Sequence, residues 1–116
     1  QFRYGAGTLF SSDYFRLPAP STGAYRYNVY AYYYPHTTSG NWRVSIRENG
    51  ILSSTLLEKD ISGYSSVNKG RTSLALGQIQ INGGLAGIDI DLTAISAGAG
   101  GNATLFFDGL VFVRVM

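Results

Sequence analysis

GAYRYNVYAYYY, at residues 23–34, is the densest aromatic stretch of the chain and decides its predicted fold. The stretch has the aromatic and β-branched content of a β-strand, in which successive side chains point to opposite faces. The predicted strand therefore has two faces, one with Tyr25, Tyr27, Val29, Ala31 and Tyr33 and the other with Arg26, Asn28, Tyr30, Tyr32 and Tyr34.

Both faces of this strand are too aromatic or apolar to be left in water. The first face can pack on the domain's own core, but the second needs another cover. Each aromatic ring contributes roughly 150–250 Å² of surface. Tyr30, Tyr32 and Tyr34 together present about 500 Å², the upper limit for an apolar patch on a soluble monomer. We therefore expect a partner, either another copy of the chain or a ligand that stacks on rings.

The remaining sequence predicts an all-β domain, because period-two segments separated by Gly, Pro, Asn and Ser recur along its length. A short strand is expected around residues 13–17, after which prolines mark a corner. Asn49-Gly50 predicts a hairpin between strands at 42–48 and 51–57. The run 82–84 predicts a second hairpin, between strands at 72–81 and 87–92. Residues 62–69 and 96–102 are expected to be flexible loops.

The final predicted strand, at residues 104–115, is apolar on both faces. We expect it to lie beside the tyrosine-rich strand in one sheet, with the core behind that sheet and an oligomer interface in front. The alternating strands are expected to form the second sheet, with Trp42 in the core. The two faces of the final strand are predicted to hold Leu105, Phe107, Val111, Val113 and Val115 on one side and Phe106, Leu110 and Phe112 on the other.

Length and composition narrow the functional classes. A chain of 116 residues fits a single domain spanning residues 1–116, and the absence of Cys excludes a disulfide framework. The net charge of +2 is spread along the chain, which argues against nucleic-acid binding. No apolar run is long enough for a membrane span, so membrane insertion is not expected. Because the chain does not begin with Met, we expect it to be a fragment or mature portion of a longer chain.

The sequence offers little catalytic chemistry. His36 is the sole imidazole and lies in a polar loop, where a loop residue is the favoured interpretation over a catalytic base. Asp89 and Asp91 share one strand face, and we interpret them as its solvated side rather than as paired catalytic or metal-binding carboxylates. Asp108 is expected either to pair with Arg26 or to reach solvent at a bulge. We therefore predict no enzyme activity, no cofactor and no metal site.

Three segments resemble the globular head of the first complement component and its relatives, the tumour-necrosis-factor-like jelly-roll trimers. Residues 23–27, GAYRY, resemble the family's Gly-x-Tyr-x-aromatic strand, and residues 42–50 resemble the next strand, which ends in Asn-Gly. Residues 107–111, FDGLV, resemble the closing Phe-x-Gly-aliphatic strand. In place of the family's Leu-x-x-Gly-Asp turn, residues 79–84 read IQINGG and lack the acid.

The resemblance implies a two-sheet antiparallel jelly-roll sandwich that forms a compact homotrimer. Such heads often cap collagen-like or other fibrous stalks at cell or virion surfaces, as on bacterial collagen-like surface proteins and phage fibres. The resemblance therefore implies that residues 1–116 are the C-terminal part of a longer fibrous chain. The trimer interface is expected to include Arg26, Asn28, Tyr30, Tyr32, Tyr34, Phe107 and Val111. Loops that bind a cell-surface glycan or protein receptor are expected at His36, Asn41, Tyr64 and Asn68.

The aromatic residues leave two functions open. A non-catalytic, trimeric, extracellular head that recognises a receptor or glycan is favoured, because the final strand is also covered on both faces. The alternative is a monomeric carbohydrate-binding module, in which the tyrosines form an exposed platform for sugar rings.

Overall fold

The computed structural model describes residues 2–3, 10–15, 24–48, 55–82, 88–97 and 104–115. None of these residues belongs to a helix that is long and apolar enough to cross a membrane. The described residues form the strands β1 (Phe2–Arg3), β2 (Phe10–Phe15), β3 (Ala24–Tyr33), β4 (Asn41–Glu48), β5 (Thr55–Ser62), β6 (Thr72–Asn82), β7 (Ile88–Ser96) and β8 (Phe106–Val115).

These strands form two antiparallel sheets. One sheet has the strand order β1-β8-β3-β6 and is called the tyrosine sheet below. The other has the order β2-β7-β4-β5 and is called the charged sheet. Buried apolar side chains from both sheets belong to a single core cluster. The predicted all-β class is therefore confirmed, with an architecture that resembles a β-sandwich.

Strand β3 lies between β8 and β6 in the tyrosine sheet. It pairs along its whole length with β6, from Ala24 opposite Asn82 to Tyr33 opposite Thr72. On its inner face, Val29 and Ala31 are completely buried. The predicted inner face and the predicted neighbouring position of β3 and β8 are both confirmed.

The charged sheet contributes the other half of the core. Trp42, Val44 and Ile46 alternate along β4 and are at most 1% exposed, which confirms the prediction that Trp42 is a core residue. Ile90 and Leu92 of β7 are buried in the same cluster. Because inward side chains of both sheets exclude water from one another, this shared cluster is the main hydrophobic contribution to stability.

A β-bulge in β8 exchanges the two faces of that strand. Tyr32 lies opposite Gly109 and Tyr33 lies opposite Phe107, so Asp108 is an additional residue. Gly109 has φ of 152°, a conformation that favours glycine. Phe107 faces inward before the bulge, and Leu110 packs inward after it. The predicted continuous faces of this strand are therefore wrong, because the bulge shifts the alternation by one residue.

A second bulge occurs on the other flank of β3. Val29 lies opposite Gly77 and Tyr30 lies opposite Ala75, which leaves Leu76 as the additional residue of β6. Leu76 is buried in the core, and Gly77 has φ of 142°. A β-carbon at Gly77 would lie 2.9 Å from a methyl carbon of Leu57, so a side chain there would require this methyl group to shift, in addition to the strain of the positive φ.

The predicted strand connections are only partly correct. Strands β4 and β5 are antiparallel neighbours as predicted, although Asn49-Gly50 lies outside the described residues. The predicted pairing of 72–81 with 87–92 is wrong, because β6 joins the tyrosine sheet and β7 the charged sheet. β2 begins at Phe10, three residues before the predicted start. The predicted corner at 18–23, the turn at 83–84 and most of the 96–102 loop also lie outside the described residues.

Two buried phenols predict a loss of stability at alkaline pH. Burial raises the pKa of Tyr33 above its ordinary value of 10.0. Burial also raises the pKa of Tyr27, an effect that nearby Arg114 opposes. Above about pH 10 the unfolded chain therefore loses phenol protons that the native chain retains, so the free energy of unfolding decreases as pH rises. Below that pH this contribution is fully present.

We expect Tyr33→Phe to reduce this alkaline decrease, because phenylalanine keeps the ring but has no proton to lose. The measurement is urea unfolding of both proteins at about pH 8 and about pH 10.5, compared as the change in free energy between the two conditions. An equal decrease in the wild type and in Tyr33→Phe would contradict the raised pKa of Tyr33 as a cause of the alkaline loss of stability.

Candidate functional site

The outer face of the tyrosine sheet is the candidate site. Paired residues of neighbouring strands lie on the same face of a sheet. The pairings Arg26 with Val115, Asn28 with Val113 and Tyr30 with Val111 therefore place β8 side chains beside the outward side chains of β3. We call the outward side chains of β3, β6 and β8 together the tyrosine face.

Three valines form an exposed strip along one flank of the tyrosine face. Val111, Val113 and Val115 are 40%, 48% and 38% exposed and follow one another at alternate positions of β8. We call them the valine strip. Isolated exposed apolar residues are common on protein surfaces, but a contiguous row beside aromatic rings is typical of an interaction surface.

The predicted interface residues between 26 and 34 are all at least partly exposed, and Val111 lies beside them. Arg26 is exposed, whereas Asn28, Tyr30, Tyr32 and Tyr34 are only half-buried within the single chain. Phe107 does not belong to this surface. It is 3% exposed and lies in the core, because it precedes the β8 bulge that exchanges the strand's faces.

One end of the tyrosine face carries an ion pair over a ring. Arg71 Nε donates to Asp108 Oδ2 at 2.6 Å, and the same guanidinium lies 4.2 Å from the centroid of the Tyr32 ring. Of the two predicted outcomes for Asp108, the position at a bulge is found, with the side chain 31% exposed, whereas the pairing with Arg26 is not. Arg26 lies opposite Val115, seven residues along β8 from Asp108, while Arg71 directly precedes β6 at the same end of the sheet as Asp108.

The β6 bulge leaves a shallow depression on the other flank of the face. This depression, which we call the bulge recess, has a volume of about 280 Å³. Gln78 Nε2 donates to Asn28 Oδ1 at 3.1 Å across its floor, which leaves the other amide hydrogens and the Gln78 oxygen for a further partner. The residues that line it carry no charge and are Asn28, Val29, Tyr30, Ala75, Gly77 and Gln78.

Two of the loops predicted to bind ligands lie together at one end of the sandwich. His36 and Tyr64 form a parallel bridge, and the backbone N–H of Thr37 donates to Asn68 Oδ1 at 3.1 Å. The N–H of Lys69 donates to the carbonyl of Pro35 at 2.9 Å. The 62–69 segment is therefore tied to the 35–40 loop and is less free than predicted.

Asn41 lies apart from this contact, since it is the first residue of β4. Its side-chain amide donates to Ser96 Oγ at 2.8 Å.

The only histidine is used to order its own loop. His36 Nδ1 accepts from the backbone N–H of Thr38 at 3.1 Å and lies 2.8 Å from Thr38 Oγ1. The ring also packs on Phe106, with 4.5 Å between centroids. An Nδ1 that accepts these bonds places the ring proton on Nε2. These contacts agree with the interpretation of His36 as a loop residue.

The outer face of the charged sheet differs from the prediction at one carboxylate. Asp91 is 5% exposed and pairs with Arg47 at 2.6 Å, so it is not on a solvated surface. Ser45, its cross-strand neighbour, is also buried and donates to Glu58 Oε2 at 3.0 Å. The described residues contain no group of three or more His, Cys, Asp or Glu side chains that could hold a metal ion together.

Asp91→Asn is expected to destabilise the fold, because it leaves the Arg47 guanidinium without its charged partner. Arg47 is about one-third exposed, so we expect a cost of about 1–3 kcal/mol rather than that of a fully buried pair. Asp60→Asn is the matched control, because it removes the carboxylate of the exposed Arg43–Asp60 pair of the same sheet, and it should cost clearly less than Asp91→Asn. Urea unfolding measures both, and equal effects would contradict the structural role of Asp91.

Comparison of the chain with protein families, with curated proteins and with solved structures finds no match. The functional interpretation therefore depends on surface geometry and chemistry.

Sequence reasoning found the tyrosines of this surface but not Val113, Val115, Gln78 or Arg71 as members of it. For the valines, the available signal was Asp108-Gly109, a charged residue and a glycine inside an apolar strand, which together indicate a bulge.

Proposed function

We propose that this chain is a non-catalytic head domain that assembles into a homotrimer through its tyrosine face. In this proposal the head caps a fibre at a cell or virion surface and recognises a receptor or glycan. The observation that carries the proposal is the valine strip beside Tyr30 and Tyr32. An outer sheet face with three exposed valines next to aromatic rings gains free energy when a second protein surface excludes water from it.

The strand order supports a jelly roll. In a jelly roll, eight antiparallel strands form two facing sheets through two Greek keys. Here the order β1-β8-β3-β6 faces β2-β7-β4-β5, so the first and last strands are neighbours. The tumour-necrosis-factor-like heads that the sequence resembles are jelly rolls of this kind, and their trimeric state is the reason for proposing three copies here.

Recognition of an outside partner is assigned to the joined loops at 35–40 and 63–70. Scaffolded loops commonly carry binding residues. Tyr64 and Val67 are exposed there, at 37% and 59%, on a segment that backbone hydrogen bonds hold in place. A fixed loop with exposed aromatic and apolar side chains loses little conformational entropy when it binds.

Solution mass tests assembly directly. Light scattering coupled to size exclusion is expected to give about three times the 12.5 kDa of one chain. Val113→Glu should dissociate the trimer, since it places three carboxylates in an apolar contact. Val67→Glu is the matched control, because Val67 is exposed on a loop and not on the tyrosine face, and it should keep the mass of the wild type. A wild-type protein of 12.5 kDa would overturn the proposal.

The bulge recess favours a second candidate function, a monomeric carbohydrate-binding module. Sugars bind proteins by stacking their apolar faces on aromatic rings and by hydrogen bonds from amides, and the recess has both in Tyr30 and in the Asn28–Gln78 pair. The recess carries no charge, so the ligand would be a neutral sugar.

This alternative predicts sugar binding by a protein of 12.5 kDa. A monosaccharide has about a dozen heavy atoms, and at ~0.3 kcal/mol each its Kd is on the order of millimolar. Neutral hexoses are titrated while intrinsic fluorescence is recorded. Gln78→Ala should weaken binding, whereas Ser73→Ala, on the same strand face outside the recess, should not. Binding by a monomer would replace the trimer proposal, and no response would exclude the module.

A further inference from the structure

We propose that neighbouring protomers meet asymmetrically, with the valine strip of one protomer seated in the bulge recess of the next. This inference rests on the proposed trimer and specifies which surfaces of the tyrosine face contact each other.

The order of strands across the tyrosine face makes this pairing a consequence of three-fold symmetry. Strand β3 is central, with β8 on one flank and β6 on the other. In a ring, each protomer contacts its neighbour heterologously, so one flank meets the opposite flank of the next copy. A face that points at the axis therefore brings the β8 flank of one protomer against the β6 flank of the next.

The β8 flank is able to reach a neighbour. On the side of β8 away from β3, β1 pairs only with Phe106 and Phe107. Beyond those two residues, β8 has no neighbour on this side among the described parts of the chain. The three side chains of the valine strip follow one another at two-residue spacing and are 38–48% exposed, so they can contact a second protein surface.

The β6 flank offers the matching concavity. At the bulge, Leu76 is buried in the core, and the residues on either side of it, Ala75 and Gly77, have a methyl group or no side chain. Ala75 lies opposite the outward Tyr30 and contributes only a methyl group to the outer surface, whereas Gly77 lies opposite the inward Val29. The recess beside Ala75 has a volume of about 280 Å³, which exceeds the volume of the isopropyl group of a valine.

The chemistry of the two flanks also fits a second copy of this chain. Neither the valine strip nor the lining of the recess contains a charged side chain, so their contact buries no unpaired charge. The charged groups lie toward the two ends of the face, with Arg26 at one end and the Arg71–Asp108 pair at the other. Both halves of the contact occur on every chain, which allows the ring to close with all sites filled.

The symmetry also sets the register of the contact. Rotation about an axis parallel to the strands preserves height along that axis, so residues at one level meet residues at the same level. Val113 and Gln78 both lie opposite Asn28, one from each flank. Val113 of one protomer is therefore expected to contact Gln78 of the next.

A cysteine pair tests this contact cleanly, because the chain has no cysteine of its own. The double variant Val113→Cys/Gln78→Cys cannot cross-link within one protomer. Its two Cα atoms are separated by β3, roughly 10 Å apart, whereas a disulfide requires less than about 7 Å. After oxidation, a non-reducing gel is expected to show covalent trimers and their dimeric precursors.

The control pair Val113→Cys/Ser73→Cys uses the same two strands. Ser73 lies opposite Tyr32, roughly 13 Å along the sheet from the level of Gln78. We expect at least tenfold less cross-linked protein from this pair than from Val113→Cys/Gln78→Cys. Light scattering under reducing conditions checks that both variants keep the mass of the wild type.

Each other result overturns the inference in a distinguishable way. A trimer by light scattering without cross-linking of the Val113/Gln78 pair would reject this contact and leave the trimer standing. Efficient dimer formation by Val113→Cys alone would indicate that two valine strips meet each other in a two-fold contact. A monomeric wild type would remove the proposed function together with the inference.

Discussion

The backbone pairing of β3 with β6 on one edge and β8 on the other holds the tyrosine sheet together. A buried strand is stable only when its N–H and C=O groups are paired on both edges. This pairing also presses Val29 and Ala31 onto the side chains of the charged sheet, where both are completely buried. The outward side chains of β3 then have fixed positions, so the geometry of the tyrosine face follows from the packing of the core.

Two β-bulges, one in each neighbour of β3, determine what the rest of that face contains. At Asp108 the bulge sends the following valines outward, and at Leu76 the other bulge turns Gln78 outward, where it lines the recess. Both bulges include a glycine with positive φ, which few other residues adopt without strain. The apolar strip and the recess are thus products of the same kind of backbone irregularity on opposite sides of one strand.

Much of the fold was predictable from local pattern, and the failures have physical causes. Strict alternation identified the inner faces of β3 and β4, because neither strand contains an additional residue within its buried stretch. It failed in β8, where one additional residue reverses the faces and moves Phe107 into the core. The hairpin predicted between β6 and β7 from their closeness in sequence is absent, because the two strands belong to different sheets. The sheet that a strand joins depends on contacts with strands far away in sequence. Asp91 was misjudged because cover by Arg47 from the neighbouring strand leaves no local signal in the sequence.

The two partners of β3 come from distant parts of the chain: Tyr30 lies opposite both Ala75 and Val111. Central pairing of this kind gives the fold a high contact order, which slows folding because long loops must close before contacts compensate for the lost entropy. Strand β8 follows all the other strands, so the tyrosine sheet cannot be completed until synthesis has passed residue 115. During that interval the aromatic edge of β3 is unprotected, and aggregation of nascent chains competes with folding.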